Sequence, residues 1–341
     1  MGSEKKVRVA INGCGRIGRL ILPLIVSDTR YKVVVINGVD ATYKAQLEAL
    51  LKFDSVYGWL GHTVSVEGDF LLYDGQKIKL MNDRGPLESL PWEKLKIDLV
   101  VEATGKHTSD ARGHMAAGAK KVVLSAPPKK PEAVDTTIVI GANEGSYKPD
   151  VHHVVSNASC TTNAVAPVVA ALGAEYGVRG GNALTVHAFT QSQNLLDGKG
   201  KDTARCRQVS GNIEPTTTGV GKALGLVCPV SITALALRVD APAGSVIYFD
   251  PILLNTYAQP SVEEVNGVLL KAAQRGIIEC WQESFAYTSN MVVGNPASVV
   301  VDLSKTYYNS ALHAFYLLGF YDNEAGFSAR LKDLLDLVMG L

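Results

Sequence analysis

The sequence predicts an α/β protein, in which a parallel sheet covered by helices is followed by an α+β domain with a mainly antiparallel sheet. The first half alternates short, continuously apolar strands with helical segments, as in a parallel sheet buried on both faces. The second half has longer strands that alternate apolar and polar residues, which indicates antiparallel pairing. With 341 residues, 47% of them apolar and 19% charged, the chain can bury the cores of two domains.

The elements of the first half follow in order from this pattern. Strands are predicted at residues 7–12, 32–37, 97–103 and 121–125, and helices at 17–26 and 43–52. In the second helix, Leu47, Leu50 and Leu51 form one apolar face. Residues 61–78 alternate apolar and polar side chains, which predicts an inserted antiparallel segment.

The second half predicts a further set of elements. Strands are expected at residues 153–155, 183–189, 232–239, 245–254 and 297–303, and helices at 161–176, 262–275 and 328–341. The last helix is amphipathic, because Leu331, Leu334, Leu335 and Val338 share one face. We therefore predict two domains, the first over 1–159 and completed by the C-terminal helix over 322–341, and the second over 160–321.

Composition and charge argue against several classes of protein. The 33 basic and 33 acidic side chains cancel, whereas a long nucleic-acid groove needs clustered positive charge, so no nucleic-acid partner is expected. No apolar run reaches the roughly 18 residues that span a bilayer, and the first residues lack the apolar core of a secretion signal. The five cysteines include no Cys-x-x-Cys pair, so no metal site is expected, and their odd number fits a reducing, cytoplasmic compartment.

Gly13, Gly15 and Gly18 form a G-x-G-x-x-G pattern between a predicted strand and a predicted helix. The first glycine permits a sharp turn, the second lets the backbone approach a pyrophosphate, and the third lets the helix pack on the strand. The helix N-terminus adds N–H donors and a positive dipole. This context predicts a Rossmann-type dinucleotide-binding domain.

The second strand ends without the carboxylate that usually holds the adenosine ribose hydroxyls of NAD. Gly38 stands in that place, and Asp40 lies just beyond it. One interpretation is that the missing acid opens the site to the 2′-phosphate of NADP. The alternative is that Asp40 reaches back and restores selectivity for NAD.

Cys160 lies in the segment Ser156-Asn-Ala-Ser-Cys-Thr-Thr-Asn163, between a predicted strand and a predicted helix. At a helix N-terminus, the dipole and the free N–H groups favour the thiolate form of a cysteine. An unperturbed thiol, with a pKa of about 8.5, is only a few per cent ionised at neutral pH, so this help matters to a nucleophile. The alternative is a buried, inert cysteine at the start of a helix.

These segments together resemble a divergent member of the phosphorylating glyceraldehyde-3-phosphate dehydrogenase family over nearly the whole chain. The matching motifs are Val9–Arg19, Glu102–Gly105, Leu124–Pro127, Val155–Asn163, Thr185–His187, Glu214–Gly219, Leu237–Val239 and Tyr321–Phe327. The cysteine motif with His187 downstream is the most specific of them. The resemblance implies the reversible oxidation of glyceraldehyde 3-phosphate with NAD(P) and inorganic phosphate.

The resemblance also implies a mechanism for two of these residues. Cys160 attacks the aldehyde to give a thiohemiacetal, and His187 takes the hydroxyl proton as hydride leaves. Inorganic phosphate then opens the resulting thioester to an acyl phosphate. Because histidine titrates near neutrality, His187 can also stabilise a thiolate as an ion pair.

Further site residues are implied by the same resemblance. The substrate's own phosphate is assigned to Thr190 and Arg238, the attacking phosphate to Ser159, Thr161, Thr218 and Gly219, and Arg205 is assigned a place between them. Cofactor contacts are assigned to Gly13, Gly15, Arg16, Ile17, Gly18, Gly38, Thr104, Gly105, Ser125, Lys199 and Asn323. Arginine suits phosphate because of its forked donors, although Arg205 and Arg207 by themselves fit a solvated loop equally well.

Two further implications concern the cofactor and the assembly. The segment Asp197-Gly-Lys-Gly-Lys201 stands where NAD-selective relatives carry a bulky Leu-Pro pair that faces a neighbour's adenosine. Lys199 or Lys201 can offer positive charge to a 2′-phosphate, so together with Gly38 this segment favours NADP over NAD. Family members are homotetramers, so a homotetramer is implied for this chain.

Several segments depart from the family pattern, namely residues 189–192, 228–234 and 289–296, and Phe320. Because the chemistry residues remain while their surroundings differ, erythrose 4-phosphate is an alternative substrate, with hydrolysis in place of phosphorolysis. A catalytically silent dinucleotide-binding regulatory protein is a further alternative. It predicts the loss of Cys160, His187 or Arg238, and all three are present.

Overall fold

A computed structural model describes residues 5–254 and 259–341 of the chain. The chain divides into two compact units, of which the first comprises residues up to 138, 145–158 and 331–341, and the second comprises 139–144 and 159–330. Within the described ranges, no helix is long and apolar enough to cross a membrane. The expectation for a start without a secretion signal falls partly on residues 1–4, which lie outside the described residues.

The described part of the first unit is built on a nine-stranded sheet with helices. Its strands are β1 (Val7–Asn12), β2 (Tyr31–Asn37), β3 (Phe53–Asp54), β4 (Gly58–Trp59), β5 (Val64–Glu67), β6 (Phe70–Tyr73), β7 (Gln76–Met81), β8 (Leu99–Glu102), β9 (Lys121–Leu124), β10 (Thr136–Thr137) and β11 (Val154–Ser156). Its helices are α1 (Arg16–Val26), α2 (Ala41–Lys52) and α3 (Gly113–Ala116). The strand order is β10-β11-β9-β8-β1-β2-β7-β6-β5, and β3 and β4 form a separate hairpin.

All neighbouring strands from β10 to β7 pair in parallel, and β7, β6 and β5 pair in antiparallel fashion. The central strands are apolar and buried, as the predicted parallel sheet requires; every residue of β8 is buried. The predicted antiparallel insertion is confirmed, with one difference. Its last strand, β7, pairs in parallel with β2 and so extends the main sheet.

The first two helices begin in different ways. The side chain of Asp40 caps α2 by accepting a hydrogen bond from the backbone N–H of Tyr43 at 2.9 Å. No side chain caps α1, whose preceding residue is Gly15. The first N–H groups of α1 are therefore not satisfied by a cap of this kind, which suits an anion at the end of β1.

The second unit contains a second sheet and three helices of its own in the described residues. Its elements are α4 (Cys160–Tyr176), β12 (Val178–Ala188), β13 (Glu214–Thr217), α5 (Val220–Val227), β14 (Ser231–Val239), β15 (Ser245–Leu253), α6 (Val262–Ala273), β16 (Ile278–Trp281), β17 (Val299–Asp302), β18 (Tyr307–Asn309) and β19 (Ala314–Tyr321). The last helix, α7 (Ala325–Met339), contributes residues to both units, and its predicted apolar face is buried.

The strands of the second sheet follow the order β13-β14-β12-β15-β19-β17-β16, with β18 beside β19. Most pairs are antiparallel, which confirms the predicted class, but β12 pairs in parallel with β14, and β16 with β17. The parallel pair brings the carboxyl ends of β12 and β14 to the same edge of the sheet. His187 and Arg238, which lie near those ends, are direct register partners.

Four strands of this sheet, β13, β16, β18 and β19, were not predicted from the sequence. The most important is β19, which lies between β15 and β17. Its sequence, AFYLLGFY, is an almost continuous apolar run and most of it is buried. A short apolar run of this kind has no period that distinguishes a buried strand from a buried helix.

Candidate active site

Cys160 is the first residue of α4. The side chain of Ser159 caps this helix, accepting a hydrogen bond from the N–H of Thr162 at 3.2 Å. Just before the cap, Ala158 adopts a left-handed backbone with φ of 56°, an uncommon conformation for a residue with a side chain. A strained turn followed by a capped helix therefore fixes the position of the cysteine.

His187, at the end of β12, faces Cys160. Its Nε2 atom lies 3.4 Å from the cysteine Sγ, and its Nδ1–H donates to the carbonyl of Ala188 at 2.7 Å. Because Nδ1 is the donor to a carbonyl, Nε2 carries the lone pair that faces the thiol. The ring is thus oriented as a base toward Cys160.

The pKa values of this pair differ from the sequence-based expectation of a thiolate. Burial raises the pKa of Cys160, and this outweighs the opposing effects of Arg238 and of hydrogen bonds at Thr161. Burial, with the positive charge of Arg238, lowers the pKa of His187 to about 3. Both directions favour a neutral thiol and a neutral imidazole over an ion pair.

Arg238 is held in the same row of the sheet. It is the register partner of His187 on one side and of Glu214 on the other. Its Nη1 donates to the carbonyl of Ala188 at 3.1 Å, the same oxygen that receives His187 Nδ1–H. One backbone carbonyl therefore orients both the base and the arginine.

Arg205 lies in the loop between β12 and β13. Its Nη2 donates to Thr216 Oγ1 at 3.0 Å, and its side chain is only 15% exposed. Arg207, two residues away, is 66% exposed and pairs with Asp197 at 2.6 Å. The solvated-loop interpretation therefore fits Arg207, whereas the side chain of Arg205 is directed toward strand β13.

The remaining predicted phosphate ligands have mixed surroundings. Thr190 forms a compact turn, with its N–H and hydroxyl both bonded to Gln193 Oε1 at 2.8 and 2.9 Å. Thr218 and Gly219 immediately precede α5, and Gly219 caps that helix without a side chain. In contrast, Thr161 is buried, and its hydroxyl oxygen lies 3.0 Å from the hydroxyl oxygen of Tyr321.

Thr185 and Tyr321 belong to the site, although no sequence pattern assigned a role to either of them. The hydroxyl of Tyr321, on β19, lies 3.0 Å from Thr161 Oγ1 and 2.8 Å from Thr185 Oγ1, and its ring packs edge-on against His187. This buried network joins α4, β12 and β19 behind the cysteine. The signal available in the sequence was the presence of Thr185 and Tyr321 in matched motifs, without any pattern that pairs them.

Asn323, which was predicted to bind the nicotinamide amide, is buried after β19. Its Oδ1 accepts a hydrogen bond from the hydroxyl of Ser245 at 3.2 Å, and that hydroxyl accepts one from Ala188 N–H at 3.1 Å. The amide oxygen of Asn323 is thus occupied as an acceptor, and its amide nitrogen is the donor group of the side chain. Next to it, Asp322 accepts from the N–H of Gly294 at 2.8 Å, so the divergent segment 289–296 is fixed to this loop.

The glycine loop of the first unit has the shape that a pyrophosphate needs. Gly13 has φ of +107°, and an added Cβ would lie 2.7 Å from Thr104 N; at Gly18 it would lie 2.0 Å from the carbonyl oxygen of Gly13. At Gly15 a Cβ would meet nothing within 4 Å, so this side of the loop is open. The adjacent backbone of Arg16 and Ile17 forms the first turn of α1, while the guanidinium of Arg16 pairs with Asp54.

Glu102, a buried carboxylate at the end of β8, lies next to the predicted cofactor contacts at Thr104, Gly105 and Ser125. Glu102 accepts from the N–H of Thr104 at 2.8 Å, from Asn12 at 2.6 Å and from His114 at 3.0 Å. Although burial raises the pKa of Glu102, these hydrogen bonds lower it on balance. No pattern in the sequence indicated this role for His114.

At the end of β2, Gly38 has φ of +93° and no side chain, as the sequence requires. Asp40, the alternative acid, has other partners: it caps α2 and pairs with Arg84 at 3.1 Å. Lys199 lies exposed on the loop between β12 and β13 of the second unit. Within the ranges that the structure describes, no group of three His, Cys, Asp or Glu residues is arranged to hold a metal ion.

Comparison with known proteins identifies similar chains. A family model described as "Glyceraldehyde 3-phosphate dehydrogenase, NAD binding domain" matches residues 7–110, and one described as "Glyceraldehyde 3-phosphate dehydrogenase, C-terminal domain" matches 159–323. A glyceraldehyde-3-phosphate dehydrogenase of Kitasatospora aureofaciens is 41% identical over 337 residues, covering 97% of this chain and 98% of the relative. Glyceraldehyde-3-phosphate dehydrogenase 2 of Bacillus subtilis is 41% identical over 339 residues, covering 97% and 96%. The enzyme of that name from Geobacillus stearothermophilus is 40% identical over 336 residues, covering 96% and 97%.

Proposed function

Because the chain belongs to the glyceraldehyde-3-phosphate dehydrogenase family, we propose that it catalyses the reversible, phosphate-dependent oxidation of glyceraldehyde 3-phosphate to an acyl phosphate with NAD(P). The observation that carries the proposal is the pairing of Cys160 Sγ with His187 Nε2 at 3.4 Å. The proposed dinucleotide-binding domain comprises residues 1–159 with the C-terminal helix over 322–341, and the proposed catalytic domain comprises residues 160–321.

Cys160 and His187 act as nucleophile and base. The directions of both pKa values favour neutral groups before substrate binds, so the thiol proton moves to Nε2 as Sγ attacks the aldehyde carbon. Nε2 returns this proton to the former carbonyl oxygen, which gives the thiohemiacetal hydroxyl. When the carbon is oxidised, Nε2 takes the proton back from that hydroxyl, which leaves a thioester on Cys160. An oxygen of inorganic phosphate then attacks the thioester carbon, and the sulfur leaves as a thiolate.

Two sets of residues bind the phosphate groups. Arg238 and Thr190 hold the phosphate of the substrate, while Ser159, Thr161, Thr218 and Gly219 hold the attacking phosphate, with Arg205 between the two groups. The burial of Arg205 and the carbonyl that orients Arg238 support these roles. Partly buried guanidinium groups with fixed orientation bind phosphate more strongly than mobile surface lysines.

The first unit fits a dinucleotide, because the loop is open at Gly15 and α1 starts without a side-chain cap. The residues proposed to hold it are Gly13, Gly15, Arg16, Ile17, Gly18, Gly38, Thr104, Gly105, Ser125, Lys199 and Asn323. When bound, the nicotinamide ring supplies the acceptor for the hydride. The chain's own contribution is to hold this cofactor and to move the protons at Cys160 and His187.

NADP is the proposed preferred cofactor. Gly38 removes the carboxylate that would repel a 2′-phosphate, and Asp40 is engaged by the Tyr43 N–H and by Arg84. Lys199 and Lys201 are exposed cations on the loop that in relatives reaches a neighbouring subunit. An exposed lysine–phosphate contact contributes about 1 kcal/mol at most, which predicts a preference of several-fold and not absolute selection.

A homotetramer in the cytoplasm is the proposed form of the protein. Leu195 and Leu196, on the same loop, are 73% and 74% exposed, and Leu235 on β14 is 62% exposed. Exposed leucines of this size support burial against other subunits. The five cysteines are free, which supports a reducing compartment.

The test is an assay of the purified protein with glyceraldehyde 3-phosphate and with erythrose 4-phosphate, each with NAD or NADP and with or without inorganic phosphate. We expect turnover of glyceraldehyde 3-phosphate that requires phosphate and yields an acyl phosphate. Phosphate-independent oxidation of erythrose 4-phosphate would instead establish the hydrolytic alternative. Binding of a dinucleotide without turnover of either aldehyde would establish a silent protein, and a tenfold preference for NAD would overturn the cofactor proposal alone.

A further inference from the structure

Glu214, the first residue of β13, is a buried carboxylate that the mechanism above does not use. It is 2% exposed, lies opposite Arg238 in the strand register, and its Oε1 is 3.8 Å from Arg205 Nε. Among residues 5–254 and 259–341, neither carboxylate oxygen has a hydrogen-bond partner, and the Nε atoms of Arg205 and Arg238 have none either. Four polar atoms of one cluster are therefore buried and unsatisfied.

The strand fixes Glu214 in this position. Side chains alternate along β13, so Glu214 and Thr216 face the arginines while Pro215 and Thr217 are exposed on the other side. Arg205 is fixed next to it, because its Nη2 donates to Thr216. Arg205 and Glu214 also shift the pKa of Arg238 in opposite directions, although burial, which lowers it, is the larger cause. The carboxylate thus cannot turn to solvent without breaking the strand pairing.

The carboxylate of Glu214, for which the described residues provide no hydrogen-bond donor, is buried beside Arg205 and Arg238 and restricts which anions can bind to these two arginines. Arginine offers only donors, so both guanidinium groups attract an oxyanion. An ionised glutamate offers only acceptors, so it repels an oxyanion unless that anion turns an O–H group toward it. A buried acceptor that the ligand leaves without a donor costs binding free energy.

We propose that Glu214 is a specificity-determining residue, which makes the site between Arg205 and Arg238 select oxyanions that carry a hydrogen, such as inorganic phosphate, over those that carry none, such as sulfate. At neutral pH every inorganic phosphate ion retains at least one hydrogen, whereas sulfate retains none. Arg205 and Arg238 attract the ionised oxygens, and Glu214 accepts the hydrogen of the P–OH group. The proposal rests on the proposed function and extends it, because Arg238, assigned above to the substrate's phosphate, here also attracts the inorganic phosphate beside Arg205.

Direct binding to the wild-type protein gives the first test. Thermal unfolding is measured with increasing inorganic phosphate, arsenate or sulfate at equal ionic strength. Phosphate and arsenate, which both carry a hydrogen, should stabilise the protein at concentrations at least tenfold lower than sulfate requires. Equal stabilisation by sulfate and phosphate overturns the proposal. Since this readout needs no turnover, it is independent of whether the proposed oxidation occurs.

The variant Glu214→Gln gives the second test, because glutamine has the same size and adds an N–H donor that sulfate can use. In the phosphate-dependent assay, the ratio of the sulfate inhibition constant to the phosphate KM should fall by about tenfold. The matched control is Asp202→Asn. The Asp202 carboxylate is also 3.8 Å from Arg205 Nε, but it is 50% exposed.

The control should keep the wild-type ratio, because an exposed carboxylate is compensated by water. If Asp202→Asn and Glu214→Gln change the ratio equally, the effect is one of net charge and the proposal is wrong. An unchanged ratio in Glu214→Gln also overturns it. Absence of any phosphate dependence in the wild-type assay would count against the proposed function, and the binding measurement would still decide the role of Glu214.

Discussion

At Cys160, two physical effects oppose each other. The start of α4 favours the thiolate, as helix N-termini do, whereas burial favours the thiol. Burial is the larger effect, so the pKa of Cys160 is raised. The same burial keeps His187 neutral down to low pH. The Nδ1–H group of His187 donates to the carbonyl of Ala188. The lone pair of the neutral ring therefore lies on Nε2, which faces the sulfur of Cys160.

This state of His187 predicts a pH dependence of stability. Its pKa is lowered to about 3 in the folded protein, whereas an unfolded histidine has a pKa of about 6.5. Between these values the unfolded chain binds a proton that the folded chain does not, so stability is present above about pH 6.5 and is lost as pH falls. The variant His187→Asn should lose this dependence, which is worth up to about 1.4 kcal/mol per pH unit.

The measurement is urea unfolding of wild type and His187→Asn between about pH 6.5 and pH 4, where a single group gives the slope stated above. The control is His313→Asn, which changes an exposed histidine in a left-handed conformation that asparagine adopts readily. The control should follow the wild type. If His187→Asn also keeps the wild-type slope, His187 is protonated in the folded protein and the neutral pair is wrong.

At the scale of elements, strand direction decides which side chains meet. The parallel pair of β12 and β14 places His187 beside Arg238, and the antiparallel pair of β13 and β14 adds Glu214 to the same row. In the first unit, the carboxyl ends of β1, β2 and β8 lie side by side, and Asn12 connects Asn37 to Glu102. Both sites therefore lie at strand ends, where loops have room for ligands.

The start of α2 carries the element-scale prediction. Because Asp40 caps this helix and pairs with Arg84, we expect Asp40→Ala to lower the free energy of unfolding by about 1 kcal/mol. Under the proposed preference for NADP, the ratio of catalytic efficiencies with NADP and NAD should stay unchanged, since the cap and Arg84 engage the Asp40 carboxylate.

Urea unfolding and steady-state kinetics with both cofactors check this prediction. Ser261→Ala is the matched control, because Ser261 caps α6 in the second unit in the same way. Its loss should have a similar effect on stability without any cofactor effect. A selective loss of NAD use in Asp40→Ala, beyond that of the control, would identify Asp40 as the substitute acid.

At the scale of the whole molecule, one face of the second sheet exposes an apolar side chain, that of Leu235. Leu235 alternates with Arg238 on β14, so it lies on the face opposite the active-site row and is 62% exposed. In the proposed homotetramer this face lies against other subunits. Substitution there is expected to alter assembly without changing the side chains that carry the chemistry.

The variant Leu235→Glu should therefore dissociate the tetramer into smaller species, because it places a charge in an apolar interface. Sedimentation velocity or light scattering of wild type and variant measures the change in mass. Leu312→Glu, at an equally exposed leucine of 63% in the turn before β19, is the control. A four-chain mass for Leu235→Glu together with dissociation of Leu312→Glu would show that the wrong face was assigned.

Local sequence patterns were sufficient for many of the features described above. Gly13, Gly15 and Gly18 between an apolar strand and a helix predicted the turn and a helix N-terminus that offers N–H donors. The segment around Cys160 predicted a cysteine at a helix N-terminus. These features depend on residues adjacent in the chain, so propensity, capping and hydrophobic period are enough to predict them.

The tertiary structure decided the rest, because it depends on residues distant in the chain. Only the strand order places Glu214 beside Arg238 and brings Tyr321 of β19 next to Thr161 at the start of α4. The ion pair between Asp40 and Arg84 likewise joins residues that are distant in the chain. Only burial, which depends on packing of the whole unit, opposes the thiolate that the helix N-terminus favours at Cys160. The sequence by itself determined the family and the fold class, and it predicted Cys160 and His187 as nucleophile and base. The desolvation of that pair and the carboxylate beside the two arginines were decided by the fold, since desolvation and charge–charge distances exist only after the chain has packed.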